Sequence, residues 1–567
     1  MLDTFATWEG RAYALILCLC PFVLSYFLTS VLSASSIRSN HDNKSPPIDP
    51  SADFIFGNLF AFAFDTRRYF AHLITRYGNN TPVRIRVANQ QYFFISGAQS
   101  ILRFFRTSRE LSTTPATVAI LENVFGSPPE TASILINDNT GFSVQPLEGS
   151  NPIPQDQRYH HIIHNTIHTN LMGVGLADLA SRYLENLEKE LDALSGESEE
   201  WIEIPDLYTL VQNTIFKAST MAICGPHLFE LNPTFTDDFW EFDIKVGGLI
   251  KGLPRFLVPS SYRVRDRLID EIMKWHEFAE SHIDRKDVEL EKKLWEPYYG
   301  SKLVRDRARE LSQIKGYNDK ARAANDLGLI WGANANIVPI VGWFLLDTIS
   351  RPEVLSRVRN ELSNIAKLHP SSSTSEHMPE LMSNPLLQSI YCEELRLRSG
   401  TTIQRSPISS NYKLGPWKFP KDDMIIASVW FEGRDKTVWN EGPNGEHDVE
   451  DFWPDRFIVY PNDPNSGPRR PESASAKSKS DKVKEPTFTV DSVNGAFIPY
   501  GGGQKMCPGR FYAKQEALGA LAMFLNKFDI ELMEEKQIVP DLSYFPMGIL
   551  PPKGKYPARL RRRKEAV

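Results

Sequence analysis

The segment FIPYGGGQKMCPGR, residues 497–510, is the most informative stretch of this 567-residue sequence. Its three consecutive glycines allow a tight turn and a close approach of the backbone to a flat ligand. Cys507 follows them, and Pro508 suits the first turn of a helix predicted over residues 509–528. The Cys507 sulfur would then lie at a helix N-terminus, which favours an anionic thiolate. Taken alone, the loop is about as typical of an ordinary turn that carries a buried thiol.

Two arginine motifs precede this loop. Glu393 and Arg396 are three residues apart in a predicted helix and therefore share one face. By itself such a pair is usually a surface ion pair that stabilises by under about 1 kcal/mol. The second motif, FWPDRF at residues 452–457, contributes Arg456. Neither motif is specific alone, so their order and spacing relative to Cys507 carry the information.

In this order and spacing, the three motifs resemble those of the cytochrome P450 superfamily. The family places an aromatic residue seven positions before its cysteine, glycine four before, a basic residue two before and glycine two after. Tyr500, Gly503, Lys505 and Gly509 match that pattern, with tyrosine in place of the usual phenylalanine and lysine in place of the commoner arginine. The resemblance covers nearly the whole chain and implies a mainly helical fold with small β-sheets.

The resemblance also implies the roles of these residues. Cys507 would bind the iron of haem b, and Tyr500, Gly503 and Gly509 would shape the cofactor loop. Lys505 and Arg405 would pair with the haem propionates. A buried structural triad would form behind the haem, and its members would be Glu393, Arg396 and Arg456.

The helix expected on the oxygen side departs from the family pattern. Ala335 and Asn336 stand where an acid and a threonine are usual, and neither side chain titrates near neutral pH. Pro339 cannot donate a hydrogen bond to the Ala335 carbonyl, so this turn should open. We therefore expect the Ala335 carbonyl and the Asn336 amide to hold water that supplies protons. The alternative is a kinked helix in which the asparagine serves only packing.

The spacing Trp331-x-x-x-x-Asn336-x-x-Pro339, together with Cys-Pro-Gly, looks like the branch that holds sterol 7α-hydroxylases and prostacyclin synthase. The resemblance implies a monooxygenase that uses O2 and electrons from NADPH through a cytochrome P450 reductase. Two alternatives stay open: a reductase-independent isomerase or dehydratase that acts on a peroxide, and a non-enzymatic haem sensor. Apolar segments at 118–134, 331–336, 399–404 and 545–550 predict a lipophilic substrate such as a terpenoid, steroid or polyketide.

The N-terminus carries an uncharged apolar run from residue 12 to residue 34. As a helix it would extend about 34 Å, enough to cross a bilayer core. The run is too long for a typical signal peptide, which is the competing interpretation. We expect a membrane anchor at 1–35, a proline-rich hinge at 36–50 and a catalytic domain at 51–567. The resemblance adds a single-pass location in the endoplasmic reticulum with a cytosolic catalytic domain.

Composition excludes several other classes. The formal net charge of −6 offers no global basic field for nucleic acid, and the basic stretch at 559–564 is interpreted as a solvated terminus. Five cysteines, two of them inside the apolar run, form a poor disulfide framework and suit a reducing compartment. Residues 461–492 are rich in Pro, Ser, Lys and Asp, which predicts a disordered insertion.

Overall fold

The structure is a computed structural model that describes residues 20–33, 44–51, 53, 55–195, 200–284, 287–368, 373–471 and 484–564. Residues 1–19 and 34–35 of the predicted anchor, residues 36–43 of the predicted hinge and residues 472–483 of the predicted insertion lie outside the described residues. The chain divides into two compact units. The first unit contains residues 1–115, 400–439 and 491–506, and the second contains residues 116–399, 440–490 and 507–567.

The first unit is built on a five-stranded sheet. In spatial order its strands are Val83–Val87, Gln90–Ile95, Met424–Ser428, Thr402–Pro407 and Leu111–Ser112. The first two form an antiparallel hairpin in which Val87 is opposite Gln90. Alternate residues of Val83–Val87 are buried, as expected for a strand with one face on a core. Lys413–Leu414 and Trp417–Lys418 form a separate two-stranded hairpin in this unit.

The helices of the first unit are short and lie mainly before the sheet in the sequence. They are Cys20–Ser33, Leu59–Phe64, Thr66–Tyr77, Ala98–Arg106 and Val429–Glu432. The Cys20–Ser33 helix contacts the residue that follows the predicted hinge, because the Ser25 hydroxyl donates to the Ser51 carbonyl at 3.0 Å. The Ser51 amide in turn donates to the Thr29 hydroxyl at 3.1 Å. A single-turn helix at Gly503–Lys505 precedes Cys507.

The second unit is mainly helical. Its longer helices are Glu130–Asn137, Tyr159–Asn170, Gly173–Ser195, Leu207–Cys224, Phe235–Ile250, Pro259–His282, Lys302–Leu311, Asp319–Asn334, Ile337–Ile349, Pro352–Leu368, Pro385–Arg398 and Arg510–Lys527. Shorter helical turns are Ile120–Val124, His227–Leu231, Val288–Lys292 and Met378–Ser383, and Thr114–Ala119 contains the boundary between the units.

The Ile337–Ile349 helix forms the centre of the second unit. Residues 337–348 are all buried, and a helix that is apolar on every face is expected in a core. It packs against Leu207–Cys224, Pro385–Arg398 and Arg510–Lys527. Pro339 lies in its first turn, where a backbone N–H is not needed for an intrahelical bond.

Among the described residues, one helix is long and apolar enough to cross a membrane by length and composition. This is Asp319–Ile349, whose two segments Asp319–Asn334 and Ile337–Ile349 are separated by a short break. Most of its apolar stretch is buried inside the protein, as in the core helix of a globular domain. Cys20–Ser33 is a shorter apolar helix.

A three-stranded sheet corrects the interpretation of the basic stretch at 559–564. Ala558–Arg562 is the central strand and pairs antiparallel with both Phe528–Leu532 and Ile202–Ile204. Its arginines alternate with buried Ala558 and Leu560. Arg559 forms an ion pair with Glu531 at 2.6 Å, so residues 559–562 are an ordered strand and not a solvated terminus.

The predicted disordered insertion is also narrower than residues 461–492. Thr487–Phe488 pairs antiparallel with Ile458–Val459, which precedes the insertion. The Asn440 side-chain amide donates to the carbonyls of Asn465 and Gly467 at 2.6 and 2.8 Å. Two short antiparallel strands and these side-chain hydrogen bonds therefore order the flanks that the composition predicted to be disordered.

Candidate active site

The Cys507 loop ends at the start of the Arg510–Lys527 helix. Gly509 is the residue just before the helix, so the predicted start at 509 was one residue early and Pro508 precedes the first turn. The backbone N–H groups of Gly509 and Arg510 hydrogen-bond to the Cys507 sulfur. Cys507 is exposed, yet surrounding protein atoms partly desolvate the sulfur and raise the pKa of its thiol, while these two N–H groups act to lower it. The thiol is therefore accessible and already has hydrogen-bond donors for a thiolate.

Tyr500, Gly503, Lys505 and Arg405 all lie in the first unit. Gly503 has a φ of +66°, and a Cβ there would lie 2.7 Å from the Ser108 side chain, so the turn requires glycine. Tyr500 is half-buried at the start of this glycine loop.

Lys505 and Arg405 are two half-buried cations that lie near each other within the first unit. The Lys505 ammonium donates to the Thr113 hydroxyl at 2.8 Å. Burial, with a contribution from the nearby Arg405 charge, lowers the pKa of Lys505 to about 7. Burial lowers the pKa of Arg405 to about 10. An anionic group bound at these two residues would reverse both shifts.

Glu393, Arg396 and Arg456 meet inside the second unit and are fully buried. The Arg396 guanidinium donates to both carboxylate oxygens of Glu393 at 2.7 and 2.8 Å. Arg456 Nε donates to Glu393 Oε1 at 3.0 Å. Burial would raise the pKa of Glu393, but the two guanidinium charges outweigh it and hold that pKa at about 2. The structure thus brings together the three residues of the expected triad, with Glu393 ionised.

The helix on the expected oxygen side breaks where Pro339 predicts an opening. Asp319–Asn334 ends, Ala335 and Asn336 form a turn, and a new helix begins at Ile337. Asn336 Oδ1 accepts a hydrogen bond from the backbone N–H of Ile549 at 3.0 Å. Gly332 in the preceding turn is exposed, and a Cβ there would contact nothing within 4 Å. The helix therefore has an open face just before its break.

Sequence reasoning missed a buried acid near this open face. Asp243, on the Phe235–Ile250 helix, is 8% exposed and accepts a hydrogen bond from Trp331 Nε1 at 2.8 Å. The Tyr544 hydroxyl lies close to this carboxyl group and acts to lower its pKa. Burial raises the pKa of Asp243 to about 7, despite the opposing effect of Trp331 and Tyr544. The spacing of acids in this helix resembles that of any exposed face, so the sequence alone gave no signal for this residue.

The chemistry of these donors fits haem. Cys507 offers a thiol that iron would deprotonate, with backbone N–H groups on its sulfur. Lys505 and Arg405 offer the cations that carboxylates such as propionates require. Among the described residues, no group of three or more His, Cys, Asp and Glu side chains could hold a metal ion by itself.

Comparisons with known proteins agree with this chemistry. Residues 150–558 match the family model for cytochrome P450. The chain is 34% identical over 559 residues to cytochrome P450 monooxygenase efuG of Hormonema carpetanum, covering 96% of this chain and 95% of that protein. It is 24% identical over 421 residues to cholesterol 7-alpha-monooxygenase of Cricetulus griseus, covering 70% and 75% of the two chains.

A solved structure shows the same fold. Retinoic acid-bound cyanobacterial CYP120A1 matches with a TM-score of 0.62, at 17% sequence identity. The match covers 92% of this chain and all of that chain. The mainly helical fold with small sheets, as expected from the sequence, is therefore confirmed.

Proposed function

Because this chain belongs to the cytochrome P450 family, in a branch with the sterol 7α-hydroxylases, and is a monooxygenase of that family, we propose that it oxidises a lipophilic small molecule. The substrate class is a terpenoid, steroid or polyketide scaffold, hydroxylated or further oxidised in secondary metabolism. The observation that carries the proposal is the exposed Cys507 at the start of the Arg510–Lys527 helix. The backbone N–H groups of Gly509 and Arg510 point to its sulfur and favour the thiolate.

An apolar group of side chains supports the lipophilic substrate. The ring centroids of Phe125 and Trp331 are 5.9 Å apart, and those of Phe125 and Phe242 are 6.4 Å apart. Phe125 also packs on Gly328, where a Cβ would approach its ring to 3.2 Å. Aromatic and aliphatic surfaces of this kind favour an apolar ligand, with few polar groups to fix its orientation.

Haem b bound through Cys507 would supply the oxidising chemistry by activating O2 with two electrons. The chain's own contribution is to place the thiol, to pair the propionates with Lys505 and Arg405, and to manage protons. Because Asn336 Oδ1 is held by Ile549, the Asn336 Nδ2 group is the donor that remains for water. Among the described residues it has no protein acceptor. We place the water between this group and the Ala335 carbonyl, whose usual helical donor is replaced by Pro339.

The electrons would come from NADPH through a membrane-bound cytochrome P450 reductase. The uncharged run at residues 12–34 supports a single-pass anchor in the endoplasmic reticulum, with a cytosolic catalytic domain. To test the anchor, the full chain and a variant without residues 1–35 are each mixed with microsomes and sedimented. The full chain should sediment with the microsomes, and the shortened variant should not. Protease accessibility of the catalytic domain in intact microsomes would test the orientation.

The catalytic proposal is tested with purified full-length protein. Its reduced carbon-monoxide difference spectrum should show the band of thiolate-ligated haem. Substrates are then screened by the low-spin to high-spin shift, and turnover is measured with NADPH and reductase, each omitted in turn. Product that requires both supports the monooxygenase. Product formed from a peroxide substrate without either would instead establish the isomerase or dehydratase chemistry.

A further inference from the structure

We propose that Asp243, Trp331 and Tyr544 form a polar recognition site that binds a hydroxyl group of the otherwise apolar substrate. The inference rests on the proposed function, since it names a specificity determinant for that substrate. All three residues belong to the second unit, and they come from two helices and the loop before the Ala558–Arg562 strand.

The first argument is the isolation of this carboxyl group. Asp243 is buried and accepts a hydrogen bond from the neutral Trp331 indole. The other polar group beside it is the neutral Tyr544 hydroxyl. No charged group contributes to the pKa of Asp243, so it differs from the ion-paired acids of the same unit. A carboxylate offers about four acceptor sites, so the Trp331 donor, even together with the Tyr544 hydroxyl, leaves capacity for a ligand hydroxyl. Keeping such a group buried is costly unless a further partner uses it.

The second argument is where this group lies. Trp331 is followed by Gly332, which faces open space, and Ala335 lies one helical turn further on. Four residues of helix cover about 6 Å, so the acid is within the length of a polycyclic ligand from the oxygen-side turn. One turn along its own helix, Gly247 faces Met547, to which a Cβ would approach within 3.6 Å. The acid therefore sits among apolar groups at one end of the proposed substrate region.

The third argument is that one loop holds both ends of this region. Tyr544 lies beside Asp243, and Ile549, five residues later, donates its N–H to Asn336. The polar recognition site and the oxygen-side turn are thus held in fixed register through the loop. A substrate anchored at Asp243 would present a set distance between its hydroxyl group and the oxidised carbon.

A hydroxyl group fits this site better than an amine. Because burial raises the pKa of Asp243 to about 7, the carboxyl group is partly protonated at neutral pH. A neutral hydroxyl can donate to the ionised form and accept from the protonated form. An ammonium group would need the ionised form and would also have to lose its own hydration in a buried site, which is costly.

The test uses the full-length holoenzyme with three probes, cholesterol, lanosterol and β-amyrin. Each probe is compared in three forms: the free alcohol, its O-methyl ether, and the analogue in which an amine replaces the hydroxyl group. Dissociation constants come from the spin-state titration. For wild type we expect at least one alcohol to bind on the order of tenfold more tightly than its ether. Asp243→Leu should reduce this ratio to about twofold or less, and Asp243→Asn, which keeps an acceptor oxygen, should retain part of it.

Asp237→Leu is the matched control, since Asp237 is an exposed acid on the same helix. It should leave the alcohol-to-ether ratio unchanged. Haem content and the carbon-monoxide spectrum verify that each variant folds. The inference is overturned if ethers or amines bind wild type as tightly as alcohols, or if Asp243→Leu keeps the discrimination. If the wild-type protein with NADPH and reductase turned over none of its substrates, the proposed function would instead be overturned.

Discussion

Asn336 Oδ1 accepts the backbone N–H of Ile549 at 3.0 Å and so joins the break in the oxygen-side helix to the loop that follows Tyr544. The adjacent Gly548 has a φ of +43°, and a Cβ there would approach the same oxygen to 2.5 Å. The asparagine therefore has a structural hydrogen bond at its oxygen, and its nitrogen donor has no acceptor among the residues that the structure describes, which makes the two functions separable by substitution.

Replacing Asn336 by alanine should uncouple electron use from product formation, because both the structural bond and the water-binding amide are lost. Asn336→Asp should keep the bond to Ile549 but lose the N–H donor. We expect Asn336→Ala to release several times more peroxide per NADPH than wild type, with Asn336→Asp between them. The ratio of product to NADPH consumed measures this. A wild-type ratio in both variants would contradict the proton-supply role.

Replacing Cys507 by serine removes the thiolate while keeping the shape of the loop. We expect a protein that has lost the reduced carbon-monoxide band of thiolate-ligated haem and has no turnover. Cys392→Ser is the control, since Cys392 is buried and burial raises the pKa of its thiol to about 12. If the serine variant at 507 kept the thiolate band, the assignment of the iron ligand would be wrong.

Glu393→Gln should be among the most destabilising single changes in the second unit. It removes the countercharge of two fully buried guanidinium groups, Arg396 and Arg456. Breaking a buried ion pair from one side costs about 3–5 kcal/mol. Arg357→Gln is the control, because Arg357 is 42% exposed where it pairs with Asp455 and should cost under about 1 kcal/mol. The free energies of unfolding of the two variants are compared by urea denaturation, with haem loss as the signal. Equal destabilisation by the two substitutions would count against a buried triad.

The buried Glu516 carboxyl group should make the protein less stable as pH rises from 4.5 to about 8. Its carboxyl group accepts the Ser219 hydroxyl at 2.7 Å, and burial raises its pKa from 4.5 to about 8. A group with a raised folded-state pKa contributes stability that is fully present below pH 4.5 and is lost as pH rises through about 8.

Glu516→Gln removes this titration and keeps the shape of the side chain. Between pH 6 and pH 9 the variant should avoid a loss of about 3 kcal/mol in the free energy of unfolding, because the slope of about 1.4 kcal/mol per pH unit applies from pH 6 up to the folded-state pKa of about 8. The melting temperature at both pH values, compared with wild type, is the measurement. Parallel pH profiles for the two proteins would show that Glu516 does not titrate in this range.

The sequence predicted the parts of the site whose residues lie close together along the chain. The Cys507 loop is continuous over fourteen residues, and Glu393 with Arg396 spans one helical turn, so the resemblance to the cytochrome P450 family could be recognised from them. Asp243 could not be found this way. Its two partners stand 88 and 301 positions away, and only the packing of three elements brings them together.

The errors at Arg559–Arg562 and at the flanks of the insertion have the same cause. Charged or polar segments were interpreted as solvated because their partners are remote in sequence. Arg559 and Arg561 lie over the Trp201 ring at 4.5 and 4.6 Å, and Glu531 is 28 positions before Arg559. A charge run indicates solvation only when no opposing strand supplies countercharges and aromatic surface.

The Ala558–Arg562 strand also imposes an order on biosynthesis. Its Leu560 pairs with Ile202 on one side and Ile530 on the other. During translation, more than 350 further residues must therefore be synthesised before the Ala558–Arg562 strand can pair with Ile202–Ile204 and cover its edge. The helices made in between can form as they emerge from the ribosome, but this sheet closes last. The nascent protein would thus carry an open strand edge for most of its synthesis, which makes the sheet a point where chaperones would act.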